Sequence, residues 1–292
     1  MNILLEKRQT LLPLKAKRPV IAKLRAHMTR TVAAFLESQP KEMARQIGLL
    51  RMRHLRKAEL TEEELQAIET ILASVDFAGW TVLAGDVEPI MDEIAKEQAY
   101  AALAQVGIDV EARPEVRAIV DARAIEYARE RSAALVGMRR NELGRMEPNP
   151  NADWQIAEST RDFMRADVET AIADGWSNDR LATALAESYG FSKDRAMTIA
   201  RTETNFAASQ GALEGYKASG VVEGKVWLTA EDDLVSEECQ ENGDAGVIGL
   251  DEDFPSGDDA PPVHPNCRCA IAPVVDFDMP AAAVAAETEG SE

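Results

Sequence analysis

Lys225-Val226-Trp227-Leu228-Thr229 is the stretch at which this sequence changes character. Upstream of it, from residue 61 to about 219, apolar residues recur at spacings of three and four, the period of a helix with one buried face. At Lys225–Thr229 β-branched and aromatic residues crowd into a short run, which reads as a strand. Val247-Ile248 and Ile271 to Val275 offer two further short strands, and Asn242-Gly243 has the composition of a tight turn. The expected fold is mainly α: a helical N-terminal region followed by a small α+β C-terminal domain with short strands.

Working back from that switch, the helical punctuation is regular. Ser192 is placed to cap a long helix that runs to Gly220, Ser177 to cap a shorter one ending near Gly190, and Gly175 to close a helix over Trp154–Asp174. Thr61 and Glu64 form a capping-box pattern ahead of the stripe Leu65, Ile68, Leu72 and Val75. Pro89 and Pro114 stand where a first helical turn tolerates proline, ahead of Ile90 and Ile94 and of Val116, Ile119, Val120 and Tyr127. Glu147-Pro148-Asn149-Pro150-Asn151 cannot continue a helix, because each proline lacks a donor and restricts the residue before it. A domain boundary or hinge is expected there. The organisation that follows is a basic arm over 1–58, a helical domain over 59–147, a second domain over 154–275, and an acidic, Ala-rich loose tail over 276–292.

The chain has 292 residues, 46% of them hydrophobic, enough for one large domain or two modest ones. No run approaches the roughly eighteen uncharged apolar residues of a membrane span, so no membrane association is expected, and no signal peptide is recognisable. Only three cysteines occur, all beyond residue 238, which argues against a disulfide framework. The net charge of −19 is unevenly distributed. Residues 1–58 hold 14 Lys+Arg against 3 Asp+Glu, whereas residues 231–292 hold 1 against 17. An arm of that sign seeks phosphates or an acidic protein surface, while the acidic body repels nucleic acid. The candidate contacts are Lys7, Arg8, Lys15, Lys17, Arg18, Lys23, Arg25, Arg51, Arg53, Arg56 and Lys57. Two other readings compete: a solvated helical face paired with the protein's own acids, and a transit peptide, for which the arm is long and poor in serine.

The most informative residues lie between Arg195 and Pro273. Arg195-Ala196-Met197-Thr198-Ile199-Ala200-Arg201-Thr202-Glu203-Thr204, then Gly211, Tyr216 and Gly220, then Lys225-Val226-Trp227 with Asp232-Asp233, then Cys239, and finally Pro261-Pro262-Val263-His264-Pro265-Asn266-Cys267-Arg268-Cys269 together resemble the Mu F-like phage head-morphogenesis family, the minor head proteins. The order and spacing of the pieces carry the resemblance, over roughly residues 160 to 275. It implies a low-copy component of a tailed-phage head, associated with the portal vertex, assembled in the host cytoplasm and present in the virion. The implied partners are portal and major head proteins, with packaged DNA as a further candidate, and no catalytic activity is implied. Many relatives carry a second cysteine three residues before the position of Cys239, where this chain has Ser236.

Read without the family, Arg195, Ile199 and Glu203 fall on one helix face and Arg201 with Asn205 on another. Arg195, Arg201 and Glu203 are a polar constellation over a cleft or, in the reading the pattern favours, hydrogen-bonding clamps of the long helix against the small mixed domain. Trp227 reads as core. Cys239, His264, Cys267 and Cys269 bring four soft or borderline donors into 31 residues, a set that structural zinc accepts. Neighbours in a Cys-x-Cys pair point to opposite faces of an extended chain, so both reach one metal only if the loop turns. Plain packing of the thiols without a cofactor is the leading expectation, zinc the second and a disulfide the third. The zinc-deaminase pattern, the nucleophile elbow, the phosphate-binding glycine loop and His-Glu-x-x-His are all missing. The acidic run Asp251, Glu252, Asp253, Asp258 and Asp259 does not follow calcium-loop order and reads as solvated. A structural head protein is therefore expected over a phage-delivered enzyme or toxin.

Overall fold

The computed structural model describes residues 8–10, 18–50, 61–74, 79–153 and 155–276. In chain order the elements are β1 (Arg8–Thr10), α1 (Arg18–Leu50), α2 (Glu62–Ser74), α3 (Trp80–Gln105), α4 (Pro114–Leu135), β2 (Met138–Arg140), β3 (Met146–Pro148), α5 (Ile156–Ala173), α6 (Asn178–Glu187), a 3₁₀ turn (Tyr189–Phe191), α7 (Lys193–Ser219), β4 (Val222–Leu228), α8 (Glu237–Asp244), β5 (Ile248–Gly249) and β6 (Ala270–Asp276). The fold is mainly α with a small α+β part, as the change of period at Lys225 implied.

The chain divides into two compact units, each built from separated stretches. One comprises, of the described residues, 25–50, 61–74, 79–90, 129–153 and 155–200. Its helix α1 buries Met28, Val32, Leu36, Met43 and Ile47, a stripe at helical spacing that packs this part of the basic segment into the core. Phe35 meets Trp80 edge to face with ring centroids 5.0 Å apart. In α2 the expected stripe holds at Ile68 and Leu72, but Leu65 is exposed and Ile71 is buried in its stead. Val75 lies outside the described residues. The segment around Pro148 is not a free hinge. β2 and β3 pair antiparallel through Met138↔Pro148 and Arg140↔Met146, and the Asn149 N–H donates to the Gly137 carbonyl at 2.9 Å.

The other unit comprises, of the described residues, 8–10, 18–24, 91–128 and 201–276. Its antiparallel sheet has the order β1-β6-β4-β5, with Trp227 opposite Ile271 and Val226 opposite Ala272. Gly220 closes α7 at φ +68°, and Ser219 turns the chain into β4 by accepting from the N–H groups of Val221 and Val222. Behind the sheet a core joins Tyr216, Trp227, Phe254, Ile271 and all three cysteines. Trp227 is core, as expected, stacked edge to face on Phe254 at 5.0 Å. Lys225 shares its strand face two residues before and is wholly buried. Its ammonium donates to the carbonyls of Leu250 (3.0 Å) and Asp259 (2.7 Å), so it pins the acidic loop to the sheet, and burial lowers its pKa.

Two local expectations are corrected. Pro89 does not open a helix; it lies inside α3, with Trp80, Leu83 and Val87 buried before it and Ile90, Met91 and Ile94 after it. Burial on both sides of the proline outweighs the hydrogen bond it forfeits. Asn242-Gly243 does not turn the chain; it falls within α8. The Asn242 side chain is fully buried, donating to Ser256 Oγ at 2.9 Å and accepting the Ser256 N–H at 3.0 Å. A turn would have left this amide without its partners.

Candidate functional site

The caps foreseen for the helices around Arg195 are in place. Ser177 accepts the Arg180 N–H and Ser192 accepts the Arg195 N–H at 3.1 Å, fixing the starts of α6 and α7. Arg195, 3% exposed, is a clamp, but against α5 and the 3₁₀ turn rather than the strand region. Its guanidinium donates to Thr160 Oγ1 (2.9 Å), the Gly190 carbonyl (2.5 Å), the Ile156 carbonyl (3.1 Å) and Ser159 Oγ (2.9 Å). Phe163 lies under the cation at 5.1 Å. Burial pushes the Arg195 pKa down to about 10. Glu203 is buried on the same helix, whereas Arg201 is exposed.

Of the basic candidates, Lys23 and Arg25 are exposed on α1, Arg18 is its first residue, and Arg8 stands in β1. Lys7, Lys15, Lys17, Arg51, Arg53, Arg56 and Lys57 lie outside the described residues, as does the tail from residue 277.

The cysteine and histidine candidates converge in the small α+β region. Ser236 caps α8 by accepting the Cys239 N–H at 3.2 Å, which sets Cys239 in the first helical turn. His264-Pro265-Asn266-Cys267 is a turn closed by the Cys267 N–H on the His264 carbonyl at 3.1 Å. Proline at its second position and Asn266 at φ +60° at its third are the signature of a type II turn. That turn faces His264 and Cys267 toward Cys239. His264 Nε2 lies 3.3 Å from Cys239 Sγ, and the Cys239 and Cys267 sulfurs are 3.7 Å apart. The three donor atoms lie within 4.8 Å of one another; Cys269 stands outside this tight group but in the same buried core. All three cysteines are free thiols, which answers the disulfide reading for the protein as it stands here.

Long-range contacts hold this loop in place. Asn205 on α7 donates to the carbonyls of Cys267 (3.0 Å) and Cys269 (3.4 Å), and Thr202 Oγ1 accepts the Asn266 N–H at 3.1 Å. Arg268 forks onto both carboxylate oxygens of Asp232 at 2.5 Å each. The thiols are electrostatically unlike. Hydrogen bonding from Cys269 above all lowers the Cys267 pKa to about 5, while hydrogen bonding to Cys267 and burial push Cys269 up, and burial raises Cys239. The acidic loop makes no comparable cluster among the described residues. Asp251 pairs with Lys217 at 3.0 Å and Asp259 accepts from Gln210 at 2.7 Å.

Sequence reasoning missed the roles of Thr202, Asn205 and Asn266 and the ion pair Asp232–Arg268. Pro265-Asn266 was the available signal for a turn; nothing local could have joined α7 to a loop more than sixty residues later. A second constellation was also unforeseen. Tyr100 donates to Asp121 and lies under Arg117, 5.5 Å away, and burial and the Asp121 bond raise its pKa to about 12.

Residues 162–272 match the family model described as Phage Mu protein F like protein. No curated protein and no solved structure matches the chain. The matched span takes in α7, the sheet strands β4 and β5, the start of β6, and every cysteine and histidine of the cluster.

Proposed function

Residues 162–272 are Mu F-like, and from that premise we propose that the chain is a minor head protein of a tailed phage, acting in head morphogenesis at or near the portal vertex. The observation that carries the proposal is the match over 162–272, which takes in Thr202, Asn205, Lys225, Asp232 and the Cys/His loop, positions that hold the α+β part together. Such a compact, internally fastened region suits a part packed into an assembly. The thiols are 1%, 6% and 4% exposed at Cys239, Cys267 and Cys269, which favours a structural over an enzymatic role, because a substrate could not reach them. The partners are portal and major head proteins, and the site of residence is the virion. No helix among the described residues is long and apolar enough to cross a membrane.

The excess of Lys and Arg over residues 1–58 supports contact with packaged DNA or with an acidic portal surface. Salt separates the two, since log affinity for DNA falls steeply and linearly with log salt. Deleting the gene from a phage that carries it tests the reading as a whole. Loss of infectious particles, restored when the chain is supplied in trans, is the expected outcome; an unchanged titre with normal heads would overturn it. Metal-dependent cleavage of DNA by the purified chain would instead favour the effector reading.

A further inference from the structure

We propose that Cys239, His264, Cys267 and Cys269 bind one zinc ion that fastens α8 and the His264–Cys269 loop to the sheet. The argument is geometric. Zinc bonded to sulfur at about 2.3 Å and to nitrogen at about 2.0–2.1 Å in a tetrahedron sets sulfur atoms about 3.8 Å apart and sulfur and nitrogen about 3.6 Å apart. The Cys239–Cys267 sulfur separation of 3.7 Å and the His264 Nε2–Cys239 sulfur separation of 3.3 Å are close to those two edges. A thiol–imidazole hydrogen bond accounts for the second of these contacts alone, whereas one metal ion accounts for both sulfurs and the nitrogen meeting at one point.

The histidine is prepared for the role. Its Nδ1 lies 3.0 Å from the Pro265 carbonyl, and a carbonyl only accepts, so Nδ1 carries the proton and Nε2 presents its lone pair to the sulfurs. A backbone carbonyl on the far nitrogen is the usual orienting partner of a zinc-bound histidine. The loop is held from behind by Asn205 on two carbonyls and by Thr202 on the Asn266 N–H, so the ligands need little ordering when metal arrives.

Cys269 completes the set. It is the remaining cysteine of three in the chain, buried in the same core and hydrogen-bonded to the Cys267 thiol. The Ser236 hydroxyl beside Cys239 is engaged as the helix cap, so the fourth bond falls to Cys269. Three thiolates on one divalent ion leave one net negative charge. A site with four protein ligands and buried sulfurs is structural, and binding releases the thiol protons to solvent. This inference does not depend on the role in head assembly.

The test uses the full chain purified without chelator. Elemental analysis should find about one zinc per chain, and cobalt(II) in its place should give thiolate charge-transfer absorption with the intense visible bands of a tetrahedral ion. His264→Ala leaves the three buried thiols in the core and should lower zinc affinity at least tenfold, with a lower melting temperature. Cys269→Ser should cost a comparable or larger factor; full zinc retention by that variant would overturn the four-ligand set. Less than about a tenth of an equivalent of metal after incubation with excess zinc, with melting unchanged by chelator, would overturn the site altogether.

Discussion

Gly211 on α7 lies against the backbone of Ala95 on α3 so closely that a Cβ at 211 would sit 2.2 Å from the Ala95 carbonyl oxygen. One turn later Gly215 meets Ala99 in the same way, with its carbonyl oxygen 2.6 Å from a built Cβ. The two glycines therefore let α7 and α3 approach to backbone contact, which no larger residue permits. Gly211 belongs to the pattern that resembled the Mu F-like family, and this contact gives that glycine a physical reason.

Gly211→Ala should accordingly destabilise the protein by about 1–3 kcal/mol, since the obstructing atoms are backbone and cannot rotate away. Gly85→Ala is the matched control: it lies within α3 with nothing within 4 Å of a built Cβ, and helix propensity predicts a gain of about 0.5–1 kcal/mol. Chemical denaturation of the two variants beside the parent chain should give shifts of opposite sign. Equal shifts would mean that α7 and α3 are not in backbone contact.

Arg195 satisfies four acceptors from one buried guanidinium, and a lysine ammonium has neither the span nor the planar fork to reach them all. Arg195→Lys should cost about 2–4 kcal/mol of stability, with faster amide exchange in α5 and the 3₁₀ turn. Exchange that quickens instead in the strands β4 and β6 would restore the reading in which this residue clamps the mixed domain.

Alkali reports on the tyrosines. Burial raises the phenols of Tyr100 and Tyr216, Tyr100 to about 12. A raised phenol favours folding in its neutral form, so its contribution is complete below the ordinary value near 10 and is lost as pH rises from there through about 12. Phenolate absorbance should show Tyr100 and Tyr216 ionising later in the native than in the denatured chain. Asp121→Asn removes a neighbouring negative charge but not the burial, so Tyr100 should fall only part of the way toward 10.

The elements that were legible in the sequence are those fixed locally. Ser177, Ser192, Gly175 and Gly220 mark helix ends by their own chemistry, and each does so in the structure. The run at Lys225 forms β4 because its alternation suits a half-buried strand. Pro89 and Asn242-Gly243 misled because tertiary burial overrode a local preference, of Ile90, Met91 and Ile94 in one case and of the Asn242 amide in the other. The candidate cluster was legible as a set of residue types, and three of its four members came together. Its scaffold was not legible, since Thr202 and Asn205 reach Asn266, Cys267 and Cys269 across more than sixty residues. A sequence of that length carries no periodic trace of such a contact.

Residence in the phage head is the centre of the account, and quantitative mass spectrometry of purified heads, beside empty ghosts after DNA ejection, measures it directly. The chain is expected in intact heads at a copy number far below that of the major head protein. Its absence from purified heads would contradict the account.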